Sequence, residues 1–185
     1  IEIQKNDNFD SIILPKKTVF QLCTLLQDTN EKLKIQTSEN KIQFSLDKIK
    51  LISKVIDGKF PDYKKVVPID NNIILNVPTK DFIESVERVA TVSLDRKEGV
   101  KLEISKDNIK LSVVSTNSGE GNETLKATCD ADELVISFNS KYLIDIASEV
   151  EDKNLRIKLK DSTSPVLIYD GADKNSFYVI MPMKI

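Results

Sequence analysis

The 185-residue chain contains no histidine, which removes the commonest general base and the commonest metal ligand together. Two cysteines remain, Cys23 and Cys129. Both stand in apolar-periodic segments without a basic partner, and read as small buried hydrophobes of a reducing compartment rather than a disulfide or a reactive thiol. Glu149, Glu151 and Asp152 gather at the end of a predicted helix, where a solvated charge run is a simpler reading than a ligand set. Serines and threonines are plentiful, but no motif supplies one with a base. Only five glycines occur, and neither a G-x-x-x-x-G-K-[ST] nor a G-x-G-x-x-G loop nor a G-x-S-x-G elbow is among them. The inventory points away from catalysis and toward binding, and no catalytic residue, metal or cofactor is expected.

Two patterns could serve binding. Lys17, Lys80 and Lys141 recur in register, each in the first turn of a predicted helix. A cation there faces the positive end of the helix dipole, so a placement repeated against local preference suggests an approaching anion. Phosphate contact would supply salt-dependent attraction without reading bases. Lys16 and Arg88 join them on polar faces diluted by Asp81, Glu84 and Asp145; ordinary solvated helix faces are the alternative. The second pattern is the closing run Phe177-Tyr178-Val179-Ile180-Met181-Pro182-Met183-Lys184-Ile185. Methionine is flexible and polarisable, so the Met pair around Pro182 suits a peptide-accepting groove, against the alternative of a core-filling last strand.

The elements that carry these residues form a unit that occurs three times. The first copy has a β-like run at 11–14, a helical stretch from Lys16 to Leu26, alternating Leu33 and Ile35, a turn at 39–41, and alternating Ile42, Phe44 and Leu46. The second runs from a strand at 73–77 through a helix to about Val92. Alternating Val100, Leu102 and Ile104 follow, then a turn at 106–108 and Ile109, Leu111 and Val113. The third has a strand at 134–138, a helix to Val150, then Leu155, Ile157 and Leu159, a turn, and Val166 and Ile168. Val19, Leu22, Cys23 and Leu26 in the first helix, and Tyr142, Leu143, Ile146, Ala147 and Val150 in the third, are spaced for one apolar stripe. Phe82, Ile83, Val86, Val89 and Ala90 do the same in the second. Alternation in the strands gives sheets with one buried face, and unpaired strand edges imply that neighbouring units join edge to edge.

Composition agrees with a globular protein: 40% hydrophobic and 30% charged residues. A net charge of −2 and a pI near 5.4 argue mildly against a basic cleft, but the distribution of charge decides that question. No apolar run is long enough to span a bilayer. The start at Ile1, with no leader in view, suggests a piece of a longer protein. Residues 57–68, with one glycine and two prolines and no period, read as a connector. They divide the chain into 1–68, the closing half of one domain, and 69–185, a complete two-unit domain.

The connector Lys54-Val55-Ile56-Asp57-Gly58-Lys59-Phe60-Pro61-Asp62-Tyr63-Lys64-Lys65-Val66-Val67-Pro68 resembles that of the bacterial DNA polymerase III β subunit, the sliding-clamp family. The tail from Tyr178 to Ile185 is similar to that family's closing Y-V-V-M-P-M-R-L, and Phe138-Asn139-Ser140-Lys141-Tyr142 to its F-N-x-x-Y. The resemblance implies an α+β DNA-clamp fold of repeated strand-helix-strands units, with antiparallel sheets outside and helices lining a ring. It implies a cytoplasmic, non-catalytic homodimer that encircles duplex DNA and tethers the replicative polymerase. Residues 1–68 would then be the second half of the middle domain with its connector, and 69–185 the C-terminal domain.

By the same resemblance, Pro61, Lys65, Val66, Asn139, Tyr142, Val179, Ile180, Met181, Pro182 and Met183 would form a groove between those domains. It would take the Leu and Phe of clamp-binding peptides from the polymerase III α subunit, the clamp loader and repair polymerases. Thr91, Val92, Glu120 and Glu123 would lie at the ring-dimer interface, and Lys16, Lys17, Lys80, Arg88 and Lys141 would face DNA. A carboxylate-based enzyme and a surface adhesion module of β repeats are the competing readings. The first lacks a motif that selects a carboxylate pair, and free cysteines discourage the second.

Overall fold

Each helix starts at a residue that ends a strand or an extended run. Pro15, Pro78 and Asn139 hold extended backbone, with ψ between 122° and 136°, immediately ahead of α1 (Lys16–Leu26), α2 (Thr79–Ala90) and α3 (Ser140–Ser148). Proline's fixed φ and missing N–H suit a helix entrance. At the third entrance the Asn139 side chain accepts from the N–H groups of Lys141 and Tyr142, which satisfies donors the helix cannot. The repeated lysine is thereby the second residue of every helix. This computed structural model describes residues 11–27, 29, 31–93, 99–115, 118–131, 133–173 and 176–184; residues 1–10 and Ile185, the last of the tail motif, lie outside them.

The chain forms two compact units, Ile1–Pro61 and Asp62–Ile185, and the boundary between them falls within the connector sequence. In the first, β1 (Lys34–Ser38), β2 (Lys41–Leu46) and β3 (Ile49–Lys54) make an antiparallel sheet in that order. Asp47, at φ 45°, turns β2 into β3, since two-residue hairpins need the positive φ that Asp tolerates. β2 buries Ile42, Phe44 and Leu46.

Two expectations fail in this unit. The run at 11–14 is no strand: it makes a single bridge, Ile56 N–H to Ile13 O at 2.9 Å, because β3 has already ended at Lys54. The α1 stripe is also largely uncovered. Val19 is 42% exposed, Cys23 is exposed rather than buried, and Thr18 is the buried residue of the helix. Thr18 is the residue turned inward, its hydroxyl 2.7 Å from Ser53 Oγ on β3.

The second unit contains β4 (Ile73–Pro78), α2, β5 (Gly99–Ser105), β6 (Asn108–Ser115), β7 (Gly119–Lys126), β8 (Thr128–Cys129) and β9 (Glu133–Asn139). After α3 come β10 (Asn154–Leu159), β11 (Val166–Tyr169) and β12 (Phe177–Ile180). They build a five-stranded sheet, β12-β11-β10-β4-β8, and a four-stranded sheet, β7-β6-β5-β9. The two repeats join by exchanging their leading strands. β4 opens the second copy but pairs with β10 of the third, Leu75 opposite Ile157. β9 opens the third but pairs with β5 of the second, Ile136 opposite Leu102.

One core results, in which Leu75, Phe82, Leu102, Phe138, Leu143 and Leu155 are at most 2% exposed. Truncating any one to Ala should cost about 2–5 kcal/mol. Cys129 is buried as expected. Tyr142 leaves the predicted stripe and is 58% exposed, while Leu143, Ala147 and Val150 are buried and Ile146 packs against the core partly covered. A third strand closes each copy as well (β3, β7 and β12), of which only the last is anticipated by the sequence pattern.

Candidate partner-binding site

The tail ties the two sheets of the second unit together. β12 is an outer strand of the five-stranded sheet, ending with Ile180 opposite Val166. Three residues later Met183 N–H donates to Ser137 O at 2.7 Å on β9, an outer strand of the other sheet. Pro182 between them has no N–H to leave unpaired. Ile180 is 4% exposed and anchors the segment, whereas Met181 is 61% exposed and Met183 36%.

A β-carbon added to Gly99 would sit 3.4 Å from Met183 Sδ, and Gly99 lies opposite Asn139 in the β5–β9 ladder. Asn139 and the run Ile180–Met183 are thus brought close together, with Val179 preceding that run on β12 and Tyr142 following Asn139 at the head of α3. Asn139 Oδ1 is committed to the helix cap, at 3.0 Å from Lys141 N and 3.4 Å from Tyr142 N; a ligand would be met by Nδ2.

Lys65 and Val66 sit on a 3-10 turn, Tyr63–Lys65, whose entrance Asp62 caps by accepting from Lys64 N. Val66 is 60% exposed. The stretch that follows is fixed by Asn71, which is 7% exposed and whose Nδ2 donates at 2.9 Å to both Lys158 O and Pro165 O. Those carbonyls flank the β10–β11 turn, next to the Val166–Ile180 pair from which the tail departs. Asn71 and Gly99 escape the sequence reading, since an Asn pair in a loop and a glycine at a strand start look like ordinary punctuation. Pro61 belongs to the other unit.

A second constellation joins residues that the sequence assigns to different surfaces. Glu123 on β7 holds the Arg88 guanidinium at both carboxylate oxygens, Nη2–Oε1 2.6 Å and Nε–Oε2 3.0 Å, and Ser85 Oγ donates to Oε1 at 2.9 Å. The Arg88 hydrogen bond, then that of Ser85, holds the Glu123 carboxyl below the usual carboxylate range, and Glu123 in turn raises Arg88 further. Gly121 permits this approach: a β-carbon there would meet Val92 Cγ2 at 2.8 Å and Val89 O at 3.0 Å. Thr91, capped onto Arg88 O, and Val92 therefore share one edge with Glu120 and Glu123, and β7 is the outer strand of its sheet.

Lys80 and Lys141 project from the heads of α2 and α3, with side chains 85% and 64% exposed, leaning on Glu84 at 3.8 Å and Asp145 at 3.0 Å. Lys17 is exposed, and Lys16 Nζ lies 5.4 Å from the Phe20 ring centre. A cleft of about 430 Å³ beside the head of α2 is lined by Lys80 and Lys153 but equally by Glu84 and Asp152. Among the described residues no three His, Cys, Asp or Glu side chains could together hold a metal ion, and no helix is long and apolar enough to cross a membrane.

This α+β arrangement is that of the DNA sliding clamps. A Bartonella birtlesii sliding clamp (DNA polymerase III subunit beta) bound to griselimycin superimposes with a TM-score of 0.88 at 39% identity, over 94% of this chain and 47% of that one. A Caulobacter crescentus DNA polymerase sliding clamp does so at 0.88 and 34%, over 94% and 46%. Residues 64–184 match the DNA polymerase III beta subunit, C-terminal domain, and residues 1–62 its central domain; the chain belongs to this family. The beta sliding clamp of Caulobacter vibrioides is 34% identical over 174 residues, 94% of this chain and 47% of the relative. That of Escherichia coli is 31% identical over 175 residues, 95% and 48%. The chain spans about half the length of the curated relatives it matches.

Proposed function

We propose that the whole protein is a processivity clamp: two copies close into a homodimeric ring around duplex DNA, in the cytoplasm, and hold polymerases to their template without chemistry of their own. Residues 1–68 supply the second half of the middle domain and the connector, and 69–185 the C-terminal domain. The edge of β7 with Thr91, Val92, Glu120 and Glu123 meets the neighbouring chain. Lys16, Lys17, Lys80 and Lys141 face the DNA phosphates from the helix heads, with Arg88 beside them although bound to Glu123.

The observation that carries the reading is the tail, which leaves Met181 and Met183 exposed where Met183 is bridged to Ser137 of β9, while Ile180 is locked into the sheet. Monomeric surfaces seldom leave several large apolar side chains together unless something docks there. With Lys65 and Val66 from the connector, this surface takes the Leu and Phe of peptides from the polymerase III α subunit, the clamp loader and repair polymerases. Calorimetry of the full-length protein with a Gln-Leu-x-Leu-Phe peptide tests it. Binding that disappears when residues 181–185 are deleted is expected. No binding at high micromolar peptide, or binding that survives the deletion, would overturn the reading.

A further inference from the structure

The chain contains two methionines, and both are in the tail. Neither is a core residue: Met181 is 61% exposed and Met183 36%, so peroxide can reach both without unfolding. Their place in the backbone is nevertheless rigid, because Ile180 is buried before them and Met183 N–H is bonded to Ser137 O at 2.7 Å. A change at either sulfur therefore acts on a fixed surface, where the groove cannot turn the altered side chain away by moving its backbone.

From these observations we infer that Met181 and Met183 form an oxidation-sensitive switch on partner docking: conversion of their thioethers to sulfoxides by a peroxide closes the groove to apolar peptides. The inference rests on the groove reading above. In the step, a sulfur lone pair attacks one peroxide oxygen, the O–O bond breaks and an S–O bond forms. Sulfur is oxidised by two electrons and hydrogen peroxide is reduced to water, the proton of the transferred hydroxyl passing to the departing hydroxide. The product is polar and chiral where the thioether was apolar and adaptable. It hinders in two ways. A sulfoxide oxygen presented to the Leu and Phe of a ligand would lose its water without gaining a donor. At Met183, moreover, the sulfur occupies the space beside Gly99 where a β-carbon would come within 3.4 Å of it, so an oxygen added on that side is crowded and the open side is the one a ligand needs.

The test uses the full-length protein, hydrogen peroxide and the Gln-Leu-x-Leu-Phe peptide. Mass spectrometry follows oxygen uptake on the tail peptide while calorimetry follows binding. We expect both sulfurs to oxidise at close to the rate of a free methionine, and peptide affinity to fall about tenfold or more. A pair of methionine sulfoxide reductases, one for each epimer, should then restore it. Because Cys23 is also exposed, Cys23→Ser protein should show the same loss and recovery. Met181→Leu/Met183→Leu protein, whatever its own affinity, should give the same value before and after peroxide. Oxidised protein that binds as tightly as untreated protein, loss that the reductases do not reverse, or loss that persists in the double Leu variant overturns the switch. Untreated protein that fails to bind the peptide instead overturns the groove reading itself, and the two failures are thus told apart.

Discussion

Glu123 holds both prongs of Arg88 while standing on an outer strand that a second chain is proposed to meet. The pair is only partly sheltered, with side chains 56% and 26% exposed, so solvent screening keeps its contribution to stability small despite its two-pronged geometry. The folded carboxyl is depressed. Its contribution is therefore complete above the ordinary carboxylate value and is lost as pH falls through the lower folded value. Melting temperature measured against pH should show wild type and Glu123→Gln separated near neutrality and converging in acid. Asp170, also depressed through the backbone N–H groups of Ala172 and Glu151, titrates in both proteins and cancels from the difference. A constant gap down to pH 3, or no gap at pH 7, would show that the pair contributes nothing. At this scale the sequence reveals residue type better than environment. Arg88 and Glu123 are separated by 35 positions, and nothing local signals that they meet. Cys23 and Tyr142 have the spacing of core residues, but whether a helical position is covered depends on how many side chains face it.

Elements are more legible where one period dominates. α2 and its neighbours β4, β5 and β6 follow their apolar spacing closely, because Phe82, Val86 and Val89 or Val100, Leu102 and Ile104 leave little choice of buried face. β7 is not legible: Leu125 is its one buried residue, and a glycine performs the work of approach. Replacing Gly121 with Val should push β7 from the end of α2 and cost about 1–3 kcal/mol, seen as a lowered melting temperature, with faster amide exchange across 119–126. Unchanged exchange there would mean that the close approach is not needed to hold β7. Asn71 gives a complementary prediction. Asn71→Ala removes two part-buried hydrogen bonds, to Lys158 O and Pro165 O, at about 1–3 kcal/mol in all, and frees the stretch that follows the connector. Peptide affinity should fall and exchange across 64–72 should rise, while β5–β7 amides keep their protection. An intact peptide affinity would mean that the connector does not shape the groove. The exchange of leading strands between repeats could not be read in advance, since alternation identifies a strand's buried face but not its partner.

At the scale of the whole molecule, the repeat acquires its reason. Each repeat presents one helix head, and each head carries a lysine at its second position. If those lysines face DNA, Lys17→Glu/Lys80→Glu/Lys141→Glu protein should dwell on duplex DNA for a shorter time. The slope of log affinity against log salt should also be shallower, by up to about 0.9 for each phosphate no longer neutralised; an unchanged slope would return the lysines to the role of solvated helix ends with their i,i+4 partners. The central claim is stronger than attraction, because a ring is retained by topology. Its direct test is retention of the full-length protein on nicked circular DNA, loaded by its cognate clamp loader and washed in high salt, before and after the circle is cut once by a restriction enzyme. The account predicts that the protein stays on the intact circle and runs off the linear product. Equal retention on both, or release from the intact circle by salt alone, would contradict it.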